Sequence, residues 1–123
     1  MILADTSVWA DHLRLSDIRL GELLADGQVL MHPFVLGEIA LGFIKKRDAV
    51  FAELHELPSM HVADPEEVLH LIETRNLVGV GIGYIDVQLL AATVTTRGCR
   101  LWTRDKRLHA IASRLDVAAR MDH

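Results

Sequence analysis

The chain has one cysteine, Cys99, in 123 residues, so no internal disulfide can form and a reducing compartment is the natural setting. Cys99 lies in an apolar segment, which reads as a small core residue and not as a nucleophile. No uninterrupted apolar run approaches the roughly 20 residues a membrane-spanning helix needs. The start lacks the basic, apolar and cleavage pattern of a signal peptide. These absences lead us to expect a cytoplasmic chain with no membrane association. An excess of positive charge is missing too: the net charge is -4 and the pI about 5.9. That excludes a generally basic coat for nucleic acid but leaves room for local basic strips. None of the seven histidines is paired at zinc-ligand spacing. No serine–histidine pair offers a covalent mechanism. With no linker, repeat or low-complexity tract, residues 1–123 read as one domain, long enough to bury about two-thirds of its unfolded surface.

What is present is a hydrophobic half arranged as alternating strands and helices. Met1-Ile2-Leu3-Ala4 runs without polar alternation into Asp5-Thr6-Ser7, which suits a strand buried on both faces of a parallel sheet. A helix follows over Val8–Arg14, and Ser16 is expected to cap a second one that stops at Gly27. Gln28–His32 reads as a second strand. Pro33 suits the first position of a helix running from Phe34 to about Ile44, with Lys45-Lys46-Arg47 as favourable charge at its end. Another helix spans Asp48–Leu57, and Ser59–Ala63 reads as a third strand. Asp64-Pro65-Glu66-Glu67 carries the pattern of a capped helix start. Leu77–Gly83 alternates glycine with aliphatics ahead of a helix beginning near Tyr84. That stretch follows a helix and not a strand, so it matches a phosphate-cradling loop poorly. Cys99–Thr103 is the fourth strand, Lys106–Ser113 a helix, and Leu115–Ala119 an edge strand; the last residues are expected to fray.

Four carboxylates stand out against this pattern. Asp5 and Asp105 each follow an apolar strand and have a hydroxyl residue close by (Thr6 and Ser7 after Asp5, Thr103 before Asp105), at strand carboxyl ends, where open α/β sheets carry their ligands. Glu38 is the sole charge in an apolar helix, and Asp86 opens another. Each has an ordinary explanation. Asp5 or Thr6 caps a helix, Glu38 pairs with an arginine from another helix, and Asp86 sits favourably at a helix N-terminus. In a parallel α/β sheet, however, all strand carboxyl ends share one edge. Four acids meeting there repel unless some are protonated or a cation binds. An oxygen-only set suits Mg²⁺ or Mn²⁺ better than zinc, and such cations activate water and stabilise the departing oxygen of a phosphodiester.

Asp5-Thr6-Ser7, Glu38 in an apolar helix after proline, Asp86 before Leu-Leu-Ala-Ala, and Thr103-Arg104-Asp105 together resemble the PIN-domain nucleases. The short length and the Leu101–Asp105 ending look most like the VapC toxins of bacterial toxin–antitoxin pairs. The resemblance covers nearly the whole chain and rests on the order and spacing of the motifs. It implies a three-layer α/β/α fold around a central parallel sheet and a Mg²⁺- or Mn²⁺-dependent endoribonuclease. Asp5, Glu38, Asp86 and Asp105 match the acidic quartet, with Asp5 and Asp86 as direct metal contacts and the other two completing the shell or positioning water. Thr6 and Thr103 are candidates for hydroxyl support, with Ser7 a weaker one. Further implications are an RNA substrate, a homodimer and a VapB-like antitoxin whose peptide covers the active-site groove.

Arg97, Arg100, Arg104, Lys106 and Arg107 cluster beside Asp105; Arg104 and Lys106 are the candidates for contact with RNA phosphates, against a merely solvated face. Trp9 and Trp102 read as packing residues and not as base-stacking platforms. Two other readings of the chain stay open at this level. A phosphoacceptor signalling domain shares the alternating pattern, but needs an acid pair after the first strand and an acceptor after the third, where the chain offers only the capping Asp64. A non-catalytic α/β binding module would use the acids solely for ion pairs.

Overall fold

A computed structural model describes residues 1–121. Its order is β1 (Ile2–Ala4), α1 (Thr6–Leu15), α2 (Ile18–Ala25), β2 (Val29–Leu30), α3 (Pro33–Ala40), α4 (Arg47–His55), α5 (Pro65–Thr74), α6 (Tyr84–Thr95), β3 (Arg100–Trp102) and α7 (Lys106–Arg114). The three strands form a parallel sheet ordered β2-β1-β3. β1 is central, as its unbroken apolar run requires: Leu3 and Ala4 are fully buried. Register sets Ala4 beside Trp102, and the Asp5 N–H bonds the Trp102 carbonyl at 3.0 Å. The ends of β1 and β3, and with them Asp5 and Thr103, are thereby fixed side by side.

Helices flank the sheet, with α1 against β1 and α3, and α6 and α7 against β3. α6 is the most deeply set: every residue from Val87 to Thr93 is buried, which explains its lack of an amphipathic pattern. Trp9 and Trp102 are each 1% exposed, so they pack and do not stack on ligands. Burying an aromatic of about 200 Å² contributes about 5 kcal/mol by area. Cys99 is buried as a free thiol, and burial pushes its pKa up, so the core reading holds.

Several expected elements are shorter than the apolar pattern suggested. The third strand and the edge strand are single parallel bridges, Met31 with Ser59 and Leu101 with Ala118. Each segment exchanges two backbone bonds with its neighbour and then turns away. α3 stops at Ala40, not near Ile44: Leu41 and Phe43 are exposed, so nothing packs the apolar tail into a further turn. The basic run does not end that helix. Lys46 is left-handed at φ 54° and Arg47 begins α4, while the Arg47 guanidinium donates back to the Ala40 and Gly42 carbonyls at 2.7 and 3.2 Å. Ser16 is not the cap of α2. It ends α1 at φ 52°, and Asp17 takes the capping role, accepting from the Leu20 N–H at 2.9 Å.

The cap at α5 is as expected: Pro65 is its first residue and Glu67 reaches back to the Asp64 N–H at 3.3 Å. The glycine-rich stretch is largely exposed and is closely approached at one position. Gly81 has φ +83°, and a Cβ there would lie 2.8 Å from the Arg107 guanidinium, which also reaches the Gly81 carbonyl. Fraying of the extreme C-terminus concerns residues 122–123, which lie outside the described residues.

Candidate active site

Asp5, Glu38, Asp86 and Asp105, drawn from four separate parts of the chain, line one cleft of about 480 Å³, together with Thr6, Ser7 and Tyr84. Asp5 sits at the end of the central strand and is 6% exposed. A buried carboxylate is tolerated when donors surround it, and three do. The Val8 N–H at 3.3 Å and the Ser7 hydroxyl at 2.5 Å bond Oδ1, and the Thr103 hydroxyl bonds Oδ2. Asp5 is therefore both the cap of α1 and a wall of the cleft. Capping accounts for one oxygen, not for the whole group.

Asp105 repeats the arrangement at β3, with Oδ1 accepting from the Leu108 N–H at 3.0 Å and capping α7. Its own N–H donates to the Thr103 hydroxyl at 3.0 Å. Thr103 thus ties the two aspartates together, its proton on Asp5 and its lone pair on Asp105. Asp86 stands in the first turn of α6 and is half-buried. Its carboxyl is held above the usual carboxylate range, first by burial, against a hydrogen bond from the Gly83 backbone, then by the charges of Asp105, Asp5 and Glu38. Asp86 thus senses the charges of the other three acids. Glu38 is half-buried on α3, and no ion pair engages it among the described residues, so the arginine expected of a structural pair is missing.

No three carboxylate, imidazole or thiol groups among the described residues stand at metal-ligand spacing. The donor chemistry fits a hard cation all the same: the cleft offers acid oxygens with no Lys, Arg or His among its described lining residues. Mg²⁺ characteristically keeps several waters and takes only one or two carboxylates, so a three-ligand cage is not required.

The supporting residues differ from the expected set in weight. Thr6 lines the cleft but makes no side-chain hydrogen bond among the described residues. Ser7 is the engaged hydroxyl, donating to Asp5 and accepting from the Arg104 N–H at 3.0 Å. Arg104, a candidate for phosphate contact, has its guanidinium on Asp11 at 2.8 Å and Asp17 at 2.5 Å. It clamps the β3–α7 turn to α1 and to the start of α2. Asp17 is the less obvious member of this network. Burial raises its pKa, but the Leu20 N–H and Arg104 outweigh that and hold it below the usual range. The signal that could have marked it is its place ahead of Ile18, where an aspartate caps better than Ser16 does in a left-handed backbone. Lys106 is exposed, with no internal partner among the described residues.

A family model described as PIN domain matches residues 2–114. Two curated relatives, both Ribonuclease VapC32 from Mycobacterium tuberculosis, strains CDC 1551 / Oshkosh and ATCC 25618 / H37Rv, are each 49% identical over 118 residues, 96% of this chain and 95% of theirs. Among solved structures, the crystal structure of PAE2754 from Pyrobaculum aerophilum is similar with a TM-score of 0.59 over 94% of this chain and 88% of that one. At 16% identity that likeness speaks to the fold alone.

Proposed function

The chain belongs to the PIN-domain family as a VapC-type ribonuclease toxin, and on that premise we propose that its four-acid cleft hydrolyses RNA phosphodiester bonds with Mg²⁺ or Mn²⁺. One observation carries the reading: Asp5, Glu38, Asp86 and Asp105 line one cleft, and Asp86 is raised there first by burial and then by the charges of the other three. A divalent cation bound there would supply neutralising charge and a more acidic water for attack on phosphorus. Asp5 and Asp86 are its proposed direct ligands; Glu38 and Asp105 complete the shell or orient water.

The chain's own contribution is preorganisation. Ser7, Thr103 and the Val8 N–H fix both oxygens of Asp5, so the carboxylate need not reorganise during the reaction. Asp105 keeps Oδ1 on the Leu108 N–H, while Oδ2 has no internal donor among the described residues. Lys106 is the proposed contact for an RNA phosphate. Arg104 is assigned to the clamp on Asp11 and Asp17.

The toxin setting implies a VapB-like antitoxin. An apolar groove lined by Ala10, Leu13, Ile39, Phe43 and Ile44 shares Thr6 and Glu38 with the acid cleft, which supports coverage of the cleft by an antitoxin peptide. The exposed Leu41 and Phe43 fit the same use. A homodimer and a cytoplasmic setting belong to the reading as well; no helix among the described residues is long and apolar enough to cross a membrane.

The test is to incubate the purified chain with single-stranded and looped RNA, with and without Mg²⁺ or Mn²⁺, and to sequence the ends. Cuts leaving a 5′-phosphate and a 3′-hydroxyl, lost with chelator, are expected. Cleavage that persists unchanged in chelator would defeat the metal reading.

A further inference from the structure

Thr103, Arg104 and Lys106, from the turn that also carries Asp105, line a second and larger cleft of about 670 Å³. Its walls are α7, the start of β3 and the chain after the Leu101–Ala118 bridge. Lys106, His109 and Ser113 line it from one face of α7, as their i, i+3, i+7 spacing requires. Arg100 and Arg120 also line it, and Asp116 is the sole carboxylate among the described lining residues. Arg100 is held by the Ala118 carbonyl at 3.2 Å, a contact that orients its charge without neutralising it. Arg104 also reaches this cleft, but Asp11 and Asp17 offset its charge. In a chain of net charge -4, a lining that among the described residues has three cations free of carboxylate pairing and one acid is a local reversal of sign.

We infer that this cleft is a backbone-binding channel for single-stranded RNA, continuous with the catalytic cleft across the Thr103–Lys106 turn. The inference rests on the ribonuclease reading above. Thr103 links the two: it lines the basic cleft, and its hydroxyl bonds Asp5 and the N–H of Asp105, which line the acid cleft. A strand whose scissile phosphate lies among the acids therefore crosses Lys106 and passes its next phosphates to Arg100, His109 and Arg120. Phosphate contacts of this kind fix register and give affinity without reading sequence. The acid cleft alone repels a polyanion, so cations placed one turn away supply what the catalytic groups cannot.

The experiment measures binding of a fluorescent mixed-sequence 20-nucleotide RNA in chelator, where no cutting occurs, over a range of salt. Lys106→Glu combined with Arg120→Glu should weaken binding at least about tenfold. It should also flatten the log–log salt slope by about 1.4, two single-strand phosphates at about 0.7 each. Lys106→Gln with Arg120→Gln should give a smaller loss of the same sign, which covers failure of the first variant to fold. A control with equal charge change, Arg19→Glu with Arg75→Glu, should leave the slope near wild type; both positions are exposed and outside this cleft's lining. An unchanged slope in both cleft variants, or an equal loss in the control, would overturn the inference. Wild-type cleavage of the same RNA after Mg²⁺ addition is scored separately, so failure of the ribonuclease reading and failure of the channel are distinguishable.

Discussion

At Asp5, three donors hold a carboxylate that is 6% exposed, and the hydroxyl that matters most is shared. Thr103→Val removes the only hydrogen bond to Asp5 Oδ2 and leaves the Asp105 N–H without its acceptor among the described residues. Loss of such support around a metal ligand typically reduces metal affinity or activity about 10- to 100-fold. A Mn²⁺ titration with RNA-cleavage rates should show that loss, and Thr103→Ser should restore most of it. At His32, fully buried as the cap of α3, Nδ1 accepts from the Phe34 N–H at 3.0 Å, so the neutral ring carries its proton on an unpaired Nε2. Burial lowers its pKa to about 4 from the ordinary 6.5. The unfolded chain therefore takes up this proton at a higher pH than the folded one. The fold should lose stability as pH falls from about 6.5 to about 4, by about 3 kcal/mol at most. Urea unfolding of wild type and His32→Asn across that range checks it, and the variant should lack this component. The acids were legible as residues, because a carboxylate in an apolar run is rare. Ser7's weight was not, because a hydroxyl after Asp5 looks the same whether it faces solvent or the carboxylate.

Among the elements, the turn between β3 and α7 carries the organisation of the site. It supplies Thr103 to Asp5, the Arg104 N–H to Ser7 and the Arg104 guanidinium to α1 and the cap of α2. Arg104→Gln should lower stability by about 1 kcal/mol, since these ion pairs are partly exposed and screened. It should also weaken Mn²⁺ binding through displacement of Ser7 and Thr103, while the salt slope of RNA binding stays near wild type. Thermal melts and binding isotherms read the three effects separately; a flattened slope would return Arg104 to the RNA surface. The sequence pattern located this turn correctly but did not show the ion pairs of its arginine, because Asp11 and Asp17 lie far away in the chain and only the fold brings them to it. Element ends were misjudged for a related reason. Apolar residues at Leu41 and Phe43 continue the helical pattern of α3, yet they are exposed and gain nothing from a further turn. The bridges at Ser59 and Ala118 fail to lengthen because backbone pairing depends on neighbours that periodicity does not report.

For the molecule as a whole, parallel topology explains why distant acids meet. β1 lies between β2 and β3, so the ends of β1 and β3 lie side by side, and α3 and α6 bring Glu38 and Asp86 to the same cleft. The α/β class and this convergence were readable from alternating elements and strand-end carboxylates. The basic cleft was not, because Arg100, His109 and Arg120 are spread over three segments. Such a cleft sets electrostatics against stability. With no cation bound, the four acids repel, and Asp86→Asn should fold as well as wild type or slightly better, the usual relation between an active site and the scaffold that carries it. The decisive measurement is Mn²⁺ binding by isothermal titration to wild type, Asp5→Asn and Asp86→Asn, with RNA cleavage followed in the same buffers. Saturable binding by wild type, together with loss of both binding and cleavage in either folded variant, is the predicted result. Wild-type rates of cutting by both variants, or Mn²⁺ affinity untouched by either substitution, would contradict a metal-dependent acid site.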